Sequence, residues 1–192
     1  MNVYETKKIR NIALLGHGGC GKTTLTEAML YTAGGKSRFG RVENGNTSSD
    51  FDQEEIKRKI SIRTSLIPVE WKNHKINVLD TPGYFDFVGN VKEAVSACDA
   101  AIIVMKASSG IEVGTEKAWE ICEEAKLPRM LYITEMDAPN VDIEAILDDC
   151  KAKFGSSIAP MQVPWYDGEK YIGYIHAVKM VARRFEGDKV IE

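Results

Sequence analysis

The chain has little of what marks secreted, membrane or nucleic-acid-coating proteins. It carries four cysteines, Cys20, Cys98, Cys122 and Cys150, and their spacing forms no C-x-x-C pair. That excludes a zinc site of the usual pattern and a disulfide framework. Cys98, Cys122 and Cys150 fall in helical stretches and read as small packed side chains of a reducing compartment. No apolar run is long enough for a membrane span or a leader; the longest, Ala100-Ala101-Ile102-Ile103-Val104-Met105, has the length of a strand. Net charge is −3, so there is no general basic field for DNA. Lys57-Arg58-Lys59 remains a local basic cluster, as consistent with a solvated face as with a nucleotide or RNA contact. Repeats and low-complexity tracts are lacking too. The expectation is a cytoplasmic monomer that binds neither membrane nor DNA.

What is present describes a globular domain. A chain of 192 residues, 44% hydrophobic and 28% charged, can bury a real core. Apolar strand-like segments at Ile9–Leu15, Lys75–Asp80, Ala100–Met105 and Arg129–Thr134 alternate with helical stretches at Thr24–Ala33, Gly89–Ala97, Val113–Ala125 and Val141–Phe154. Ala118, Ile121, Cys122 and Ala125 fall on one helix face, and Ile143, Ile146, Leu147 and Cys150 on another. Ser61–Trp71 and Lys75–Asp80 read as an antiparallel hairpin turning at Asn73-His74. The alternation predicts an α/β fold, a three-layer sandwich around a mostly parallel sheet. Residues 34–59 show no sustained apolar period, and a connection that long inside a compact domain points to function. After Gly155 the pattern changes: Ile158–Val163 and Tyr171–Ile175 read as short strands about an Asp167-Gly168 turn, and 178–190 is mixed and charged.

Gly16-His17-Gly18-Gly19-Cys20-Gly21-Lys22-Thr23 fits G-x-x-x-x-G-K-[ST], placed between a strand and a helix. Such a loop wraps backbone N–H groups around phosphate oxygens, and the helix N-terminus adds partial positive charge. His17, Gly18, Gly19, Cys20, Gly21, Lys22, Thr23 and Thr24 are the candidate nucleotide contacts. Lys22 would reach the β/γ-phosphates, and the Thr23 hydroxyl would face Mg²⁺. Cys20 reads as a permissive loop position rather than a reactive thiol. Asp80-Thr81-Pro82-Gly83 closes the strand before it: Asp80 is a second candidate for Mg²⁺, and Gly83 can bring its N–H to a γ-phosphate. An ordinary Pro-Gly turn is the competing reading. Ser61, at the end of the long polar loop, could supply a third hydroxyl or oxygen to the ion, or be a plain strand-start serine.

Together these motifs resemble those of translational GTPases, most closely the N-terminal GTP-binding domain of elongation factor G and elongation factor G-like paralogues. Gly21–Glu27 with Leu30-Tyr31, Gly40-Arg41-Val42, Asp50-Phe51, Lys57–Ile62, Asp80–Gly83 with Asp86-Phe87, and Pro160–Pro164 carry the resemblance, which covers nearly the whole chain. It implies a P-loop GTPase domain over 1–155, with switch I at about 34–60, switch II at about 81–91 and a guanine motif at 134–137. It also implies the start of an inserted α+β subdomain at 156–192, GTP or GDP with Mg²⁺ as ligands, and the ribosome as partner of a longer factor. The family's Ser-Ala motif, sixth strand and last helix have no counterpart before Glu192, so the chain is expected to be a truncated N-terminal piece with an open sheet edge.

Departures from the family pattern fall at the site. Lys22, Gly83 and Tyr84 are the candidate catalytic residues, but Tyr84 stands where the family has a histidine, and a phenol is a poor proton acceptor at neutral pH. Gly19 replaces an aspartate. Thr134-Glu135-Met136-Asp137 replaces N-K-x-D: Thr134 and Asp137 are the candidate base contacts, Asp137 keeping the carboxylate that pairs with the guanine N1–H and N2–H₂ edge. Glu135 reverses a lysine's charge and is expected to repel phosphates, weakening affinity by about 1–3 kcal/mol. Asp137 could instead serve only to cap the helix that follows. Three functions remain open: a GTPase, weak as an isolated piece; a GTP/GDP sensor with little hydrolysis; and a P-loop ATPase or kinase.

Overall fold

The computed structural model describes residues 3–187 and 189–192. Strand β1 (Ile9–Gly16) lies at the centre of a five-stranded sheet with β2 (Ser65–Trp71), β3 (His74–Asp80), β4 (Ala100–Lys106) and β5 (Arg129–Thr134), in the order β2-β3-β1-β4-β5. Strand β1 runs parallel to β3, with Leu14 opposite Asp80, and parallel to β4, with Gly16 opposite Val104. Strand β2 runs antiparallel to β3, and it is an edge strand, which is where Pro68 can be tolerated. The β2–β3 hairpin turns on Lys72 and Asn73, both at positive φ, one residue earlier than the sequence indicated.

Helices α1 (Lys22–Thr32), α2 (Gln53–Arg58), α3 (Val88–Ser96), α4 (Val113–Glu124) and α5 (Ile143–Phe154) complete the α/β pattern. Successive side chains of a strand point to opposite faces, and the core divides accordingly. Ala13, Leu15, Ala101 and Ile103 join Ala94, Val95, Ala118 and Cys122 on one side; Leu14, Val78 and Val104 join Cys20 and Leu25 on the other. Each fully buried Leu or Ile contributes about 1.5–3 kcal/mol through removal from water. Helix α4 ends at Glu124, so Ala125 becomes an exposed cap residue and not part of the buried face. Helix α5 buries Ile146 and Cys150 and is capped by Asp142, whose carboxylate accepts from the Glu144 and Ala145 amides. Asp137 therefore does not cap it.

The 34–59 segment is not structureless. It contains a short 3-10 turn (Val42–Asn44) and α2, whose N-terminus carries a reciprocal capping box between Asp52 and Glu55. The Asp52-x-x-Glu55 spacing is the local signal that the absence of apolar periodicity obscured.

By contact density the chain forms two units: residues up to Met105 with Glu112–Tyr132, and Lys106–Ile111 with Ile133–Glu192. The second unit contains an antiparallel sheet, β6 (Gln162–Asp167), β7 (Lys170–His176), β8 (Val181–Glu186) and β9 (Lys189–Ile191), in sequential order. Strand β6 starts four residues later than expected, at Gln162 rather than Ile158, and the charged stretch after 178 is two strands. Their Arg183-Arg184 and Lys189 leave them largely exposed, so apolar alternation gave no strand signal.

Candidate functional site

Strand β1 ends at Gly16 and α1 begins at Lys22, leaving a loop of glycines between a buried strand and a helix N-terminus. Gly21 occupies the N-cap at φ +100 and has no side chain to cap with, so the first-turn amides of α1 remain without a side-chain partner and face the loop. Lys22 is only 6% exposed, and its ammonium donates to the carbonyls of Gly16 (3.0 Å) and His17 (2.8 Å) across the loop. Cys20 is fully buried, and desolvation holds its thiol above the ordinary value although Lys22 opposes this, in keeping with a packed residue and not a reactive one. Gly19 and Thr24 are exposed on the loop and the first helical turn. The His17 backbone lies in the loop, and its ring lies beside Glu112 and Phe85: Nε2 is 3.6 Å from Glu112 Oε1, and the ring meets Phe85 edge-on.

Thr23, Ser61 and Asp80 converge, and Asp50 joins them. The Ser61 hydroxyl donates to Asp50 Oδ1 at 2.7 Å. Its single proton is thereby used, so Thr23 Oγ1 donates to Ser61 Oγ across 3.2 Å. Asp80, at the end of β3, is 1% exposed and neither of its oxygens has a hydrogen-bond partner among the described residues. Burial raises its pKa to about 6; the Ser49 and Thr23 hydroxyls lie close enough to lower it without forming a hydrogen bond of ordinary geometry, and the charge of Lys22 lowers it as well. Asp50 is also buried, and desolvation raises its pKa while the Ser61 hydroxyl lowers it. Orphaned carboxylate oxygens beside two hydroxyls form an all-oxygen donor set suited to a hard divalent cation. Asp50 carries part of the resemblance to the first switch region but was not among the candidate site residues, because only the folded loop brings it to Ser61.

Gly83 follows this cluster and approaches the loop closely. A Cβ there would lie 2.5 Å from Lys22 Nζ and 2.7 Å from the Gly18 nitrogen, so any side chain would be excluded. The Tyr84 ring rests over Gly18, with 2.9 Å between Cζ and a Cβ built on that glycine, and Tyr84 remains 44% exposed. Thus Lys22, Gly83 and Tyr84 lie at one mouth of the loop.

The segment Thr134–Asp137 belongs to the second unit. Ala107 N–H donates to the Thr134 carbonyl at 2.9 Å, tying the ends of β4 and β5 together. Glu135 sits at φ +57, and its carboxylate pairs with Lys106 Nζ (3.2 Å) and accepts from the Ser108 hydroxyl (3.1 Å). The charge expected to repel phosphates is therefore compensated locally. The Asp137 side chain is exposed, and Tyr166 of β6 donates to the Met136 carbonyl at 3.0 Å.

The family model of the elongation factor Tu GTP-binding domain matches residues 7–189. The chain belongs to this family. It is 38% identical over 169 residues to the mitochondrial ribosome-releasing factor 2 of Anopheles gambiae, covering 88% of this chain and 23% of that protein. It is 32% identical over 190 residues to elongation factor G of Granulibacter bethesdensis, covering 99% of this chain and 27% of that protein. The crystal structure of ttk003000868 from Thermus thermophilus superposes with a TM-score of 0.92 at 42% identity, over 96% of this chain and 28% of that one. The chain thus spans about a quarter of the length of these relatives.

In this GTP-binding domain of the translation-factor type, two further carboxylates organise the segment before Ser61. Glu27 of α1 is fully buried and accepts from Lys36 Nζ (2.9 Å), the Gly40 amide (3.0 Å) and the Ser48 amide. Burial pushes its pKa up, but the bonds from Lys36 and Ser48 outweigh this and hold it below the usual carboxylate value. Glu55, 2% exposed, accepts from the Ile62 and Arg63 amides at 2.9 and 3.1 Å and so fixes the backbone that follows Ser61. Neither glutamate was legible as functional from the sequence. Each acts on backbone amides brought to it by the fold.

Proposed function

We propose that this domain binds GTP and GDP with Mg²⁺ and hydrolyses GTP to GDP and phosphate, as the nucleotide switch of a longer factor that acts on the ribosome. The observation that carries the reading is the buried, orphaned Asp80 carboxylate beside the Thr23 and Ser61 hydroxyls, under the Lys22 loop. Thr23, Ser61 and Asp80 would hold Mg²⁺, which supplies charge neutralisation for the β- and γ-phosphate oxygens. Lys22 and the loop amides bind the phosphates and stabilise charge that develops on them in the transition state. Gly83 admits a γ-phosphate to its backbone N–H because nothing projects from its Cα. Asp137 accepts from the guanine edge and discriminates against adenine, which lacks both donors. A cytoplasmic, monomeric switch fits this reading, and among the described residues no helix is long and apolar enough to cross a membrane.

Tyr84 supports a second reading, a GTP/GDP sensor with little turnover. The resemblance assigns it the slot nearest the attacking water, where a phenol hydroxyl would orient that water but is ill-suited to take its proton at neutral pH. Two measurements test these readings. Calorimetry with GTP, GDP and ATP in the presence of Mg²⁺ should give guanine-selective binding; equal affinity for ATP would sink the guanine assignment. Phosphate release by the full-length factor with intact ribosomes separates the switch from the sensor: stimulated multiple turnover supports hydrolysis, and binding without turnover supports the sensor.

A further inference from the structure

The loop Thr134–Asp137 is held at three points, all within the second unit. The Ala107 amide bonds the Thr134 carbonyl, Lys106 and Ser108 grip the Glu135 carboxylate, and the Tyr166 hydroxyl bonds the Met136 carbonyl. The first two holds come from the end of β4 and the residues just after it. The third comes from the antiparallel sheet and acts on the residue immediately before Asp137.

We propose that Tyr166 is a positioning residue for guanine recognition, its hydroxyl fixing the Met136 carbonyl so that the Asp137 carboxylate is presented in the geometry that reads the base edge. The inference rests on the guanine-binding function proposed above.

Several features of the second sheet serve this contact. Trp165 pairs with Gly173 and Tyr166 with Tyr171, so Ile172 is an extra residue on β7 and the pairing is bulged beside Tyr166. A bulge bends its strand and re-aims the neighbouring side chains. The Tyr166 ring is braced by Tyr171 at 5.5 Å between centroids, and Tyr171 in turn by Phe185 at 5.3 Å. A braced phenol spends little of its hydrogen bond on ordering itself. Glu135, at a left-handed φ unfavourable for a side-chain-bearing residue, leaves the turn dependent on such outside bonds to keep one conformation. Burial and the Asp137 charge both raise the Tyr166 pKa, which keeps the phenol protonated as a donor over the working pH range.

The test compares GDP with inosine diphosphate, which keeps the N1–H but lacks the N2 amino group that Asp137 also contacts. Tyr166→Phe removes only the hydroxyl and leaves the ring against Tyr171. The 192-residue chain with Tyr166→Phe should bind GDP about three- to tenfold more weakly, with a smaller loss for inosine diphosphate, so that the GDP preference shrinks. Its melting temperature should stay close to that of the parent. Tyr174→Phe is the control: Tyr174 lies on the same sheet, and its hydroxyl meets Arg183 at 3.4 Å rather than the guanine loop. It should leave the ratio unchanged. An unaltered ratio in Tyr166→Phe overturns the proposal, and so does equal loss of both nucleotides or the same shrinkage in Tyr174→Phe. A parent chain that binds GDP no better than ADP overturns the guanine reading itself, and the positioning role falls with it.

Discussion

The Glu27 carboxylate of α1 accepts the Gly40 backbone amide at 3.0 Å, joining the helix that follows the phosphate loop to the segment that leads to Ser61. With Lys36 and Ser48 as its other partners, one buried acid organises residues 36–48. Replacing Glu27 by alanine removes the anionic partner of Lys36, which keeps only the Asn46 carbonyl and the Ser48 hydroxyl, and leaves two amides without their acceptor, a loss of about 3–5 kcal/mol by comparison with broken buried ion pairs. Limited proteolysis should then cut within 36–48 while the parent resists.

The same carboxylate gives a pH dependence of definite sign. Its folded pKa lies below the ordinary 4.5, so its stabilising contribution is complete above that value and is lost as pH falls through the lower, folded pKa. Protection of 36–48 should hold constant from neutral pH down to about 5 and decline only in more acidic solution. The Glu27→Gln variant should lack that acid-side decline.

Tyr84 lies over Gly18 with its ring half exposed, so a histidine fits the same place. Tyr84→His should raise ribosome-stimulated phosphate release by the full-length factor about tenfold or more, within the range of general-base catalysis. GDP affinity should change little. A Tyr84→His protein with unaltered turnover would show that hydrolysis here does not depend on a base at this position.

The Lys106–Glu135 pair is half exposed, so its loss alone should cost less than about 1 kcal/mol of stability. Glu135→Lys places two ammonium groups together and should loosen the 134–137 turn, lowering GDP affinity. The double exchange Lys106→Glu with Glu135→Lys should restore or exceed the parent affinity. A double-mutant cycle on GDP binding measures the coupling.

Cys20 is buried in the loop and its thiol is held above the ordinary value, and Cys122 is pushed up to about 11. Neither should react with a thiol reagent at about pH 8 in the folded protein, and both should react on unfolding. Rapid labelling of Cys20 in the native chain would contradict the packed loop.

The parts of the site that were legible in the sequence are those whose geometry is local. The spacing from Gly16 to Thr23 sets a loop between one strand and one helix, and Asp80 to Gly83 closes a strand, so adjacent residues suffice to define them. Asp50, Glu27 and Glu55 carry no such signal, because their meaning lies in partners 7 to 21 residues away. Helix α2 was hidden for another reason: at six residues it is too short for an apolar period, and its stability comes from the Asp52–Glu55 box. The second sheet shows the limit of pattern reading. Exposed strands such as β8 satisfy their backbones without burying one face, so Arg183 and Arg184 conceal a strand that pairing alone creates.

The hold of Lys22 on the Gly16 and His17 carbonyls has a thermodynamic consequence. An ammonium that already has two protein acceptors and little contact with water gains no first partner when a phosphate arrives; it exchanges acceptors. Its contribution to binding is a difference between two sets of hydrogen bonds and not the whole of one set. The heat released on phosphate binding should therefore be smaller than the number of bonds in the complex suggests. Much of the ligand's grip must come instead from the loop amides at the N-terminus of α1, which have no side-chain cap to displace.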